Sequence, residues 1–85
     1  MNQKNLDKMA HSMTLIADKA LKEGETWEEE DMKKMYKEDA ESYLYISNLI
    51  KKGALKTAAH TMNNLDTAAR DMIKSYVFDT VMKYY

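Results

Sequence analysis

The sequence predicts an all-α fold in one small domain, an up-down antiparallel bundle of three helices. Three observations carry this expectation. Proline is absent and glycine occurs only at Gly24 and Gly53, so little in the chain interrupts a helix. Apolar residues recur at three- and four-residue spacing along nearly the whole length, the period of a helix with one buried stripe. The two glycines fall where those stripes pause, and short joints of that kind connect antiparallel neighbours. The expected helices cover about 5–23, 26–52 and 54–84, within a single helical domain 1–85.

The first stripe consists of Leu6, Met9, Ala10, Met13, Ile16, Ala17, Ala20 and Leu21. Gly24 is expected just past its end, where a left-handed backbone suits glycine. The second helix opens on Thr26-Trp27-Glu28-Glu29, read as a capping box in which Thr26 and Glu29 satisfy each other's free backbone N–H groups. Its stripe is Met32, Met35, Tyr36, Tyr43, Ile46 and Ile50. Lys51 and Lys52 then complement the helix dipole, and Gly53 closes the helix.

The third stripe is Leu55, Ala58, Ala59, Met62, Leu65, Ala69, Met72, Ile73, Tyr76, Val77 and Tyr84. Unbroken, that helix would be about 46 Å long at 1.5 Å per residue. Asn63-Asn64 offers a stopping point, because asparagine is a poor helix interior residue and a good N-cap. Asp66 falls inside the apolar stripe of a continuous wheel but favours the dipole in the first turn of a new helix. The reading is three helices, or four with a break or kink at 63–64.

A chain of 85 residues buries only about 60–65% of the surface its unfolded form exposes. The core is thin, and a partner chain would add to stability. No cysteine is present, so a disulfide framework and a thiolate metal site are both excluded. No apolar run has the ~18–20 residues needed to span a bilayer. The residues Met1 to Asp7 lack the charged-then-apolar order of a signal peptide. The expectation is a complete cytoplasmic product without membrane attachment.

The net charge of −1 argues against general nucleic-acid binding, which calls for a clustered positive excess. Its distribution is uneven. Residues 1–42 hold eleven acids against seven lysines, and residues 43–85 hold three acids against six Lys and Arg. The opposed halves can meet inside one fold, pair with a second copy, or steer the chain onto a charged partner.

Catalytic signatures are scarce. Asp7 and His11 stand four residues apart on one helix face, the spacing of a carboxylate that orients an imidazole. Both lie on the polar side of the first helix, and His60 shares a polar face with Asn64, Thr67 and Asp71. No paired-histidine metal motif, nucleophile elbow or glycine-rich phosphate loop accompanies them. The expectation is no catalytic residue, no metal and no cofactor. Asp39 falls within the apolar stripe of the second helix, where a carboxylate needs a tyrosine or lysine partner or access to water.

Three features point to binding. Glu25, Glu28, Glu29, Glu30 and Asp31 form an acidic patch around Trp27, within a stretch 25–41 of eight acids and three lysines. It reads as a first turn complementing the helix dipole or as a mimic of nucleic-acid phosphates. Trp27 and Tyr45 project from the polar side of the second helix at the same wheel angle, as exposed anchors of a type enriched in binding hot spots. Trp27 can instead fold over the helix end. In the last helix, Phe78, Val81, Met82 and Tyr85 recur at the spacing a helix uses to lay an apolar face on a partner, and the cover for that face is another helix of the same chain, a second copy or a different protein. Ile73, Tyr76, Val77 and Tyr84 would meanwhile hold it to the core.

These features lead to a non-enzymatic protein-binding module acting stoichiometrically as inhibitor, adaptor or regulator. Its partner is a second copy in a homodimer or a host protein complex. A phage or mobile-element origin, with a host defence complex as target, is a base-rate expectation and not a residue-level one. The alternatives are a helical nucleic-acid-directed regulator using Lys51, Lys52, Lys56, Arg70 and Lys74, or the acidic mimic of residues 25–41.

Overall fold

The computed structural model describes residues 2–85. Among them are five helices and no strand: α1 (Gln3–Glu25), α2 (Glu30–Lys51), α3 (Leu55–Asn63), α4 (Thr67–Met72) and α5 (Ser75–Met82). The helix count therefore exceeds both the three and the four expected.

Helix α1 starts where the Asn2 side chain accepts from the Asn5 N–H at 2.9 Å, which satisfies one free donor of the first turn. It runs antiparallel to α2, as three contacts show. Gln3 Nε2 donates to the Lys51 carbonyl at 3.2 Å, Ser47 Oγ donates to the Ala10 carbonyl at 2.7 Å, and Gly24 lies against Tyr36. Ser47 Oγ also lies 3.3 Å from Thr14 Oγ1, so this buried hydroxyl is fully used in tying the two long helices together.

Gly24 does not end α1. The helix continues through it to Glu25, and only Gly53 among the described residues has a positive φ. Its role is close approach, since a Cβ at Gly24 would stand 2.9 Å from Tyr36 Cβ. Each Cβ is fixed in place by its helix backbone, and neither can swing away. Gly24→Ala should lower stability by about 1 kcal/mol in urea denaturation. The clash costs about 1–3 kcal/mol, offset by about 1 kcal/mol of helix propensity. A more stable variant would show that the helices separate freely here.

The capping box is also corrected. Thr26 is the C-cap of α1, and its Oγ1 donates back to the Glu23 carbonyl at 2.7 Å. Helix α2 begins at Glu30, four residues later than expected, with Glu29 as an N-cap making no side-chain bond. Once Thr26 has turned toward α1 it cannot serve α2. Glu30 and Asp31 in the first turn still complement the dipole.

Gly53 closes α2 as expected, at φ 80°. Its N–H donates to the Ile50 carbonyl at 2.9 Å and that of Ala54 to Leu49 at 2.9 Å, the bond pair of a Schellman turn. Helix α3 then ends at Asn63, at the expected break. Asp66 caps α4 by accepting from the Ala69 N–H at 2.7 Å. A second break was not expected: Ile73 and Lys74 are extended, with ψ of 125° and 135°. A single rod of about 46 Å would outrun the α1–α2 hairpin. The two breaks instead fold α5 back onto α3 and α1.

The largest fully buried side chains are Tyr43, Met9, Met13, Ile46, Ile50, Met62, Val77 and Val81. Leu21, Met35, Tyr76 and Tyr84, all expected on core stripes, are exposed. Leu21 and Met35 belong to the far part of the hairpin, Tyr76 is turned outward by the second break, and Tyr84 follows the end of α5. The molecule measures 42 × 21 × 18 Å.

Candidate interaction surfaces

The second break resets the helical phase of α5 and redistributes its proposed binding face. Val81 is fully buried, and Phe78 and Met82 are half-buried against the core. These three therefore do not form a free apolar face, which corrects the expectation drawn from a wheel continued from Leu55. Tyr85 is 60% exposed, and its ring stacks on that of His60, with centroids 6.0 Å apart and planes 6° from parallel. The stack occupies His60 and turns the end of the chain back over α3.

Phe78 also borders a cleft at the elbow between α4 and α5. Arg70 and Lys74 stand at its edge with Asp71 and Asp79 beside them, and Arg70 Nε donates to the Leu65 carbonyl at 2.9 Å. The cleft is thus nearly charge-balanced. Lys51, Lys52 and Lys56 lie elsewhere, around the Gly53 turn. The five residues of the basic set fall into two groups on separate parts of the fold.

Asp7 and His11 line one shallow depression between α1 and α2. The hydrogen bond to Asp7 Oδ1 comes from Gln3 Nε2, at 2.8 Å, and not from the imidazole. Among the described residues no group of three or more His, Asp and Glu is placed to hold a metal ion. No helix among them is long and apolar enough to cross a membrane.

Asp39 sits at the edge of the core, half-exposed, and no tyrosine or lysine among the described residues donates to it. Burial pushes its carboxyl above the ordinary value, and the negative charges of Asp66 and Glu38 push it the same way. An acid raised in this manner opposes folding while ionised, and the cost falls away as pH drops through its folded value. The nearby tyrosine has a different partner: Tyr43 Oη donates to the Ala69 carbonyl at 3.0 Å. Burial, followed by the charges of Asp39, Asp66 and Glu23, raises the phenol and keeps it a donor.

At the far end of the hairpin, no residue from Glu25 through Asp39 is buried. Trp27 is 39% exposed and stacks on Tyr36, with ring centroids 6.4 Å apart and planes at 24°. It folds over the helix end while presenting its outer side. Met35 and Leu21 are exposed nearby, and Tyr45, 54% exposed, stands farther along α2 beside exposed Leu44. Glu25, Glu28, Glu29, Glu30 and Asp31 are all exposed around the tip. The one ion pair among the described residues, Lys34 with Glu38 at 3.9 Å, includes none of these five acids, and Glu25 lines a depression with Lys33 and Lys37. Sequence reasoning found Trp27 and the acids but missed Met35, whose place on the stripe predicted burial.

No protein-family model, curated protein or solved structure matches the chain.

Proposed function

We propose that the chain is a non-enzymatic protein-binding module acting stoichiometrically as an inhibitor, adaptor or regulator. In this reading α1 and α2 are two layers of an up-down antiparallel bundle, with α3, α4 and α5 together as the third. Blocking a host complex, as a phage or mobile-element product does, is one form such action takes.

One observation carries the reading. The hairpin continues beyond its buried part as a tip without a buried residue from Glu25 through Asp39, yet with Trp27 and Met35 at its surface. Tryptophan is enriched among binding hot spots, and methionine suits adaptable binding surfaces. The binding surface thus moves from α5 to the tip, with Tyr45 and Tyr85 as the remaining exposed aromatic groups. A nucleic-acid-directed role has less support, because the cations form two groups and Asp71 and Asp79 offset one of them. Phosphate mimicry also has less support, because the acids surround a helix start instead of forming a row.

A photo-crosslinking amino acid at position 27, 45 or 85 tests the reading in lysate of the producing cell. Position 27 should give one saturable adduct of one chain with one partner, and position 45 much less. Absence of an adduct at all three positions would remove the reading.

A further inference from the structure

No helix packs along α4 as α1 packs on α2 or α3 on α5. Of its six residues only Ala69 is buried. Extended backbone bounds it on both sides, at Asp66 with ψ 168° and at Ile73 and Lys74, so it can move as a unit about two joints. Apart from the bond of Arg70 to the Leu65 carbonyl, two side-chain bonds hold it, and both close on Ala69. Asp66 Oδ1 accepts from the Ala69 N–H at 2.7 Å, and Tyr43 Oη of α2 donates to the Ala69 carbonyl at 3.0 Å.

Asp39 stands one helical turn before Tyr43 on the same face of α2. It is half-exposed and takes part in no ion pair among the described residues. The titratable groups around it are Asp66 from the start of α4, then Glu38 and Tyr43 from α2; Tyr43 also faces Glu23 of α1. None of these carries positive charge. Closing α4 therefore brings one carboxylate toward another that no cation neutralises, and opening it separates them.

We infer that Asp39 and Asp66 make α4 an acid-tightened latch, loosened from α2 while both carboxylates are ionised and drawn shut when Asp39 takes up a proton. Burial, followed by the charges of Asp66 and Glu38, raises the carboxyl of Asp39 in the closed state. Opening α4 returns it toward the lower, ordinary value. The closed state thus binds the proton more tightly, and its share grows as pH falls through the raised value. The cleft at the elbow moves with the latch. Thr67, Arg70 and Asp71 on its one side belong to α4, and Ser75, Phe78 and Asp79 on the other belong to α5. That cleft is whole only while α4 is closed.

Hydrogen exchange of the full chain tests the latch, read as protection factors at about pH 7 and at about pH 4, where an ordinary carboxyl titrates. The amides from Arg70 to Ile73 should gain protection severalfold toward acid, relative to those of α3. Asp39→Asn should raise their protection at neutral pH and remove most of the gain. Asp66→Asn keeps a capping side chain and loses the charge, so α4 should remain formed with a smaller gain. A pH response shared equally by α3 would overturn the proposal. So would Asp39→Asn with unchanged or lower α4 protection at neutral pH, or the full gain surviving in either variant.

Discussion

Val81→Asp is expected to unfold the protein at 25 °C, with loss of the far-ultraviolet helical signal. Val81 has no exposed surface and packs with Val77 and Met62 in the core. The substitution forfeits about 1.5–3 kcal/mol of apolar burial and adds a desolvated charge with no partner, at several kcal/mol more. A chain of 85 residues has about 4–13 kcal/mol in total at 0.05–0.15 kcal/mol per residue, so most or all of it is consumed. Tyr85→Asp, four residues on and exposed, should change stability by less than about 1 kcal/mol. The pair separates core from surface within the last five residues of the chain. If Val81→Asp keeps a native urea midpoint, the side chain faces solvent and the placement of α5 is wrong.

Tyr43→Ala should rank next, at about 3–5 kcal/mol for deleting a buried aromatic ring. Tyr43→Phe isolates the hydroxyl. It keeps the ring and removes the donor to the Ala69 carbonyl, leaving a buried acceptor unsatisfied at about 1–3 kcal/mol. The effect should be local. Helix α4 has six residues, fewer than an isolated helix needs to persist, and it depends on Asp66 at its start and Tyr43 across from α2. Hydrogen exchange in Tyr43→Phe should show the amides of α4 losing protection more than those of α1. Uniform loss over the chain, or none in α4, would contradict this role for the hydroxyl.

Local rules and periodicity made the α1–α2 hairpin legible in the sequence. Leu6 through Ala20 and Tyr43 through Ile50 keep a helical beat and are buried as that beat implies, and Gly53 has the left-handed φ expected of it. Gly24 was misread because glycine serves two purposes, and sequence spacing cannot distinguish a helix end from a place where two helices touch. Tyr36 supplies the missing fact, and it stands twelve residues away. Thr26 failed for a similar reason: its hydroxyl can bond forward or backward, and it bonds back to Glu23. The break at Ile73 and Lys74 has neither glycine nor proline to announce it. It is imposed by the length of the surface that α5 must fold back to cover. The assignment of Val81 to a binding face inherited that error, because a helical wheel is valid only while the helix is unbroken. The acidic tip was visible as composition, but that no residue from Glu25 through Asp39 is buried is a tertiary fact.

The tip without a buried residue, from Glu25 through Asp39, has a consequence for how such a protein can change over generations. Exposed substitutions that create no cavity and break no cap usually shift stability by only about 0.5 kcal/mol in either direction. The segment proposed to meet a partner is therefore nearly free to vary, while Met9, Met13, Tyr43, Ile46 and Val81 keep the fold. If the proposed partner alters its surface, substitutions at the tip can follow it without the core having to be rebuilt.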